Sequence, residues 1–395
     1  MLKFLSSGES HGKGLIGIIE GMPSGILISE KYINEQLQRR QKGYGRGGRM
    51  AVENDQVEIF SGVRDQKTLG SPISFLIRNK DYENWQETMN TGECSRIEER
   101  AVKRPRPGHA DLPGAIKYNQ PDMRNILERA SARETAVRVA AGAFFKMLLE
   151  KFGIYIYSQV VSVGGAVVKA AKFELNNYKE LNSIIDASDM HCFDKTGEEE
   201  IKELIDRARS SGESLGGSFE VGVLGVPPGL GSYVSWDRRL DGKISSLLMS
   251  IPAIKAVEIG EGIENAGIPG SRVHDQLFFS QDKRIYRKTN RAGGLEGGMS
   301  NGETIWARAY MKPIPTLYKP LTSVNTDLWC EEQADVERSD ICAVPAAAVV
   351  GEAMMAYGIA GAFLEKFGND SFTQINAAYC SYNKYMKKVW KWEKI

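Results

Sequence analysis

The amino-acid sequence predicts an α/β fold, and three features point to it. Leu15-Ile16-Gly17-Ile18-Ile19-Glu20 is a short apolar run closed by Gly21-Met22-Pro23-Ser24-Gly25, the form of a strand ending in a turn. Residues 132–152 place Ala136, Val139, Ala140, Ala143, Phe144, Met147 and Leu148 at helical spacing, with Ser131 and Glu134 in a capping-box pattern and Gly153 at the close. A comparable helix is expected over 346–367, followed by Gly368. Both helices end in Leu-Glu-Lys-Phe-Gly, at 149–153 and 364–368. The shared ending fits an internal duplication of a helix-plus-strand unit. Coincidence among residues common at helix ends accounts for it as well.

Between these landmarks, Ile33 and Leu37 lie four apart and predict a helix over 30–40. It runs into Arg39-Arg40-Gln41-Lys42-Gly43-Tyr44-Gly45-Arg46-Gly47-Gly48-Arg49, which holds five cations and no acid. Short strands are expected at Val57–Phe60 and Ile73–Ile77, around a turn at Gly70-Ser71-Pro72. Residues 172–213 are charged and helical in pattern, including Glu198-Glu199-Glu200, and read as a solvated peripheral region. Residues 216–231 read as strand and turn. No Pro-, Ser- or Gly-rich linker divides the chain, so 1–395 is expected to form one large domain.

Composition narrows the function. The net charge is +1, so no global field selects nucleic acid or a membrane surface. The five cysteines form no CxxC pair, which argues against a disulfide framework and a thiolate metal site. The opening residues meet charge too early for a signal peptide, and no apolar run approaches bilayer-spanning length. The expectation is a soluble cytoplasmic protein. No G-x-x-x-x-G-K-[ST], H-E-x-x-H or G-x-S-x-G motif occurs, which sets aside P-loop ATP chemistry, zinc hydrolases and serine hydrolases.

Two of the four histidines sit in rigid, irregular frames: Gly8-Glu9-Ser10-His11-Gly12 and Arg104-Pro105-Arg106-Pro107-Gly108-His109-Ala110-Asp111. Imidazole exchanges protons near neutral pH, so both are candidate acid–base groups; the alternative is that they bond only to backbone. Gly43-x-Gly45-x-x-Gly48 follows a helix rather than a strand, so the 39–49 segment fails the dinucleotide-fold context. Its arginines suit phosphate and carboxylate recognition, with a solvated basic loop as the alternative. Arg129-Ala130-Ser131-Ala132-Arg133 repeats the anion logic at a helix start, where capping alone is also a sufficient reading. Residues 293–302 form a glycine cluster that could let a planar ring approach main chain. Lys312-Pro313-Ile314-Pro315-Thr316 fixes an extended loop, and Arg338-Ser339-Asp340 pairs a guanidinium with a carboxylate before a Pro345-containing helix start.

Taken in this order, the segments resemble the chorismate synthase family. The match runs from Gly8-Glu9-Ser10-His11-Gly12 through Glu128-Arg129-Ala130-Ser131-Ala132-Arg133-Glu134-Thr135 to Arg338-Ser339-Asp340 and Glu352, with Arg106–Asp111 and Ser250–Gly260 adding to it. Ala130 stands where many members have serine, and Pro252 where asparagine is frequent. The resemblance implies a fold in which two similar halves sandwich helices between sheets. It also implies a homotetramer, and conversion of 5-enolpyruvylshikimate 3-phosphate into chorismate and phosphate, requiring reduced FMN. It assigns His11 to protonation of the departing phosphate, His109 to the flavin pyrimidine edge and Asp340 to proton transfer at flavin N5. Ser10 and Ser131 would relay protons or orient the imidazoles. Flavin contacts fall on Arg129, Ala130, Ser131, Pro252, Ala253, Gly297, Lys312, Pro313, Ile314, Pro315, Thr316 and Arg338. Substrate anions fall to Arg49, Arg106 and Arg133, and Arg40 and Arg46 to NADP or substrate. NADPH or an external flavin reductase would keep the flavin reduced. Two other readings are an NAD(P)H-dependent flavin oxidoreductase and an Arg/Gly RNA-binding protein.

Overall fold

Two antiparallel sheets enclose the long helices. The computed structural model describes residues 1–47, 54–337 and 339–392. The first sheet has β1 (Lys3–Ser7), β2 (Gly14–Glu20), β3 (Val57–Ser61) and β4 (Ile73–Arg78) in the order β1-β2-β4-β3. The second has β5 (Tyr155–Val163), β6 (Ala166–Val167), β7 (Gly217–Leu224), β8 (Ile254–Ile259) and β9 (Ile305–Met311) in the order β8-β9-β7-β5-β6. Every pairing within them is antiparallel. In β2 the period-two pattern buries Leu15, Gly17 and Ile19 on one face.

Among the described residues the α-helices longer than a single turn, in chain order, are α1 (Glu30–Gln41), α2 (Asp111–Tyr118), α3 (Arg124–Ala130), α4 (Thr135–Glu150), α5 (Tyr178–Ala187), α6 (Lys195–Ser211), α7 (Leu240–Met249), α8 (Val344–Phe367) and α9 (Phe372–Val389). Helices α1 and α4 pack against the first sheet, α7 and α8 against the second, and α4 lies on α8 between them. A Cβ at Gly142 would fall 2.4 Å from Cβ of Ala353, so the α4–α8 crossing requires glycine there. One continuous apolar core spans both layers, from Leu15 and Phe75 through Phe144 and Ala353 to Phe219 and Val221.

Four expectations change. The capping box at Ser131 is half formed: its Oγ accepts the Arg133 N–H, while Glu134 pairs with Arg138 at 2.7 Å. A 3₁₀ turn over Ala132–Glu134 then precedes α4. The second Leu-Glu-Lys-Phe-Gly is followed by helix α9 instead of a strand, so the helix–strand succession does not recur. Helix α8 is apolar and long enough to cross a bilayer, contrary to the reading of the apolar runs, yet most of it is buried between sheets. Residues 172–213 form α5 and α6, which bury Ile185, Ile201, Ile205 and Ala208 against the body and so are solvated on one side only.

Buried inside α8 is Glu352, gripped by both Nη atoms of Arg39 at 2.7 and 2.8 Å, by Lys146, and by Ser158 Oγ at 2.7 Å. Ser158 also meets Nε2 of His191 at 2.8 Å. Burial opposes ionisation of Glu352, but the Arg39 and Lys146 charges outweigh it and hold the carboxyl below its usual range.

Candidate active site

His11 lies in the loop joining β1 to β2. Gly8 there has φ +104°, and a Cβ on it would lie 2.3 Å from the Gly14 carbonyl, so the turn into the Ser10-His11 segment needs glycine. Asn79 Nδ2 pins the loop by donating to the Glu9 and Gly12 carbonyls at 3.0 and 2.8 Å. Ser10 is buried and its N–H donates to the Glu128 carbonyl at 3.0 Å. The Glu128 side chain, from α3, accepts from the His11 main-chain N–H at 2.7 Å and from Nδ1 at 2.9 Å. Trp85 stacks on the His11 ring with centroids 4.0 Å apart and 26° between planes. The Arg100 and Arg124 guanidiniums lie over that indole at 4.6 and 5.3 Å. Burial works against the Glu128 charge, yet the His11 hydrogen bonds outweigh it and keep the carboxyl below its ordinary value.

The second imidazole has its own carboxylate. Nδ1 of His109 lies 2.5 Å from Oδ1 of Asp111, the first residue of α2. Arg106 reaches both Asp111 oxygens, through Nε at 2.9 Å and Nη2 at 3.1 Å, while its Nη1 donates to Thr316 Oγ1 at 2.8 Å. Its fork therefore orients the His109–Asp111 pair, where the resemblance assigns it to substrate directly. Asp111 is fully buried, which disfavours its charge, but the bonds from His109 and Arg106 prevail and hold it well below the usual carboxylate range. Lys312 Nζ donates to the Gly108 carbonyl, and its N–H donates to Ala253 O at 3.0 Å. Ala253, beside Pro252, takes the left-handed φ of +68° that makes this approach. The Pro313–Pro315 stretch between is held by Ser214 Oγ donating to Ile314 O at 2.7 Å.

A third group gathers the arginines. Asp55, fully buried, takes Arg40 Nη2 at 3.0 Å and Arg133 Nη1 at 2.5 Å. Arg133 Nε donates to Asn79 Oδ1 at 2.9 Å, which ties this group to the His11 loop. Arg46 Nη1 lies 3.4 Å from Asp340 Oδ2, and the Gly47 N–H donates to Oδ1 at 2.6 Å. Burial and the charges of Arg133 and Arg46 lower Arg40 to about 10, despite Asp55. Nε of Arg40 is buried with no acceptor among the described residues. Three guanidiniums against the two carboxylates of Asp55 and Asp340 leave the group net positive, which suits a phosphate or carboxylate.

The structure thus collects Ser10, His11, Arg40, Arg46, Arg133 and Asp340 on one framework. His109, Arg106, Pro252, Ala253 and Lys312–Thr316 gather on an adjoining one, joined to it where Tyr318 OH approaches Ser339 O at 3.4 Å. Arg129, next to Glu128, donates to the Gly8 and Ser6 carbonyls at the start of the His11 loop, apart from the Lys312 group, with Ala130 beside it. Ser131 spends its hydroxyl on the cap, and Gly297 sits at the tip of the Leu295–Ser300 hairpin, which bonds to the 229–240 segment. Arg49 and Arg338 lie outside the described residues. Of the positions assigned to flavin, 252–253, 312–316 and His109 converge, with Lys312 as the cation among them. Sequence reasoning misses Glu128, Asp111, Asp55, Asn79 and Trp85 as functional residues. Glu128 and Asp111 fall inside the quoted motifs, so an acid beside each imidazole is legible there; Asp55 and Trp85 carry no local signal.

Two carboxylate-held imidazoles and a buried arginine cluster are the equipment of an enzyme that acts on a small molecule. The family model for chorismate synthase matches residues 2–364. The chorismate synthase of Syntrophomonas wolfei is 68% identical over 395 residues, covering 100% of both chains. That of Desulforamulus reducens is 51% identical, covering 98% of this chain and 100% of the relative. A crystal structure of a chorismate synthase matches with a TM-score of 0.79 and 44% identity, over 98% of each chain. The chain belongs to the chorismate synthase family, whose members are lyases.

Proposed function

We propose that this protein catalyses the 1,4-elimination of phosphate from 5-enolpyruvylshikimate 3-phosphate, giving chorismate, in aromatic amino-acid biosynthesis. The observation that carries the reading is the Glu128–His11 pair tied through Asn79 to the Arg40–Asp55–Arg133 cluster. With Nδ1 committed to Glu128, Nε2 of His11 is the atom that holds and gives the proton to the departing phosphate, lowering its charge as the C–O bond breaks. Ser10 keeps the loop on α3, and Ser131 holds the turn that presents Arg133. Arg40, Arg46 and Arg133 bind the phosphate and carboxylates, joined by Arg49, in a site where low dielectric strengthens each contact.

The chemistry that reduced FMN supplies when bound is transient electron density for the allylic centre left by phosphate, returned as the ring hydrogen leaves. Lys312, Ala253, Pro252, Pro313–Thr316 and His109 would hold it, with Arg106 orienting His109 through Asp111. Arg129, Ala130, Ser131, Gly297 and Arg338 complete that contact set by resemblance. Asp340 presents a carboxylate beside Arg46 for proton transfer. A homotetramer, a cytoplasmic location and NADPH or an external reductase as electron source belong to the same reading.

The test is anaerobic incubation of purified protein with the substrate and chemically reduced FMN, assaying phosphate and chorismate. Repeating it with oxidised FMN and NADPH shows whether the protein reduces its own flavin. No product from folded protein under reducing conditions overturns the reading.

A further inference from the structure

We propose that α6 is a positioning device for the arginine loop, and that Tyr44 and Asp206 form its latch. This rests on the reading that Arg46 binds a substrate anion. Tyr44 lies two residues before Arg46, and its hydroxyl donates to the Asp206 carboxylate, 2.9 Å from both oxygens. Two cations of the same helix lie over its ring, Lys202 at 5.8 Å and Arg209 at 5.5 Å. Arg209 also closes on Asp206 at 2.7 Å, so the acceptor itself is held. The Tyr44 N–H donates to the Asp189 carbonyl at 2.9 Å, and Lys202 reaches Asp189 at 3.1 Å.

The next residue continues the grip. Gly45 is buried, and a Cβ there would lie 3.0 Å from Ile205 of α6 and 3.4 Å from Cys342, so the chain passes closely between α6 and the segment preceding α8. Its carbonyl accepts the Ile341 N–H at 2.8 Å, and the Gly47 N–H reaches Asp340. Upstream, Arg39 is anchored by Glu352 and by Asp186 of α5 at 2.8 Å. Residues 39–45 are therefore fixed upstream of Arg46 by α5, α6 and α8, and Gly47 is fixed downstream by Asp340, which Arg46 itself also meets. A guanidinium on a loop rich in glycine loses conformational freedom when it binds; holding the loop beforehand removes that cost from the binding step. The peripheral helices thus act on the site through a half-buried tyrosine, without touching substrate.

The experiment compares wild type, Tyr44→Phe, Asp206→Asn, Arg46→Ala and the Tyr44→Phe/Arg46→Ala double variant in the full chain. Removing one hydrogen bond to a charged acceptor corresponds to a factor of roughly ten. Tyr44→Phe and Asp206→Asn are each expected to raise KM for 5-enolpyruvylshikimate 3-phosphate about five- to tenfold, with kcat within about twofold. In the Arg46→Ala background the Tyr44→Phe effect should vanish, because the latch acts through Arg46. Backbone hydrogen exchange at Gly45–Gly47, which needs no turnover, should quicken in Tyr44→Phe. Unchanged exchange there overturns the proposal, as does an unchanged KM or a Tyr44→Phe effect that persists in full without Arg46. Wild-type protein that releases no phosphate while its Tyr44→Phe variant exchanges faster counts against the proposed reaction and leaves the latch standing.

Discussion

The Glu128 carboxylate lies 2.9 Å from Nδ1 of His11 although 117 residues separate them in the chain. A carboxylate in that position fixes the ring's tautomer and orientation, so its charge matters beyond its shape. Glu128→Gln retains the volume and loses the charge; kcat should fall about 10- to 100-fold, the worth of one charge-assisted hydrogen bond. His11→Ala should cost about 10²–10⁴. Steady-state phosphate release checks both, and a Glu128→Gln enzyme with wild-type kcat removes Glu128 from the account.

His109→Ala should likewise lower turnover by about 10²–10⁴ with fold and assembly intact. Asp111→Asn is expected to lose about 10- to 100-fold, since it weakens the bonds to both His109 and Arg106. Sedimentation alongside kinetics separates the catalytic role from a structural one: a variant that loses assembly along with activity favours packing.

Asp55→Ala leaves Arg40 and Arg133 buried without their carboxylate. Breaking such a pair costs about 3–5 kcal/mol, so urea unfolding should show a loss of that size. Inorganic phosphate should restore part of it by binding Arg40 and Arg133 in place of the lost carboxylate, in the native state alone. A stability unaffected by Asp55→Ala, or a variant indifferent to phosphate, contradicts the anion-binding assignment of this cluster.

Burial lowers His191 from its usual value to about 4, aided by the Arg39 and Lys146 charges and opposed by Glu352 and Asp186. Its native pKa lies below that of the unfolded chain, so the neutral ring's contribution is complete above about 6.5 and is lost as pH falls toward 4. The loss amounts to about 3 kcal/mol at the lower end. Urea midpoints of wild type and His191→Gln between pH 7 and pH 4.5 should converge as pH falls; parallel curves would contradict this.

Much of the fold is legible in the sequence because its signals are local. The 15–20 strand, the 30–40 helix and the two long helices follow from period and caps, and the structure moves their ends by only a few residues. The Leu-Glu-Lys-Phe-Gly repeat is a poor guide to the succeeding element, since a helix ending does not encode the structure beyond it. Both histidines are visible because glycine and proline frame them. Their surroundings are less so. Arg106 reads in the sequence as a ligand-binding arginine, and its bonds to Asp111 and Thr316 come into view only in the folded chain. Asp55 and Trp85 meet their partners only through tertiary contacts that no spacing announces. The charge on α5 and α6 hides the apolar face that docks them, because three isoleucines scattered among acids and lysines read as solvated.

The central claim is a redox-neutral elimination. The most direct test follows phosphate, chorismate and flavin absorbance together in one anaerobic reaction with reduced FMN. The account predicts phosphate and chorismate in equal amounts, many turnovers per flavin, and flavin still reduced at the end. Reduced flavin or NADPH consumed in proportion to product, or no phosphate at all, would contradict it.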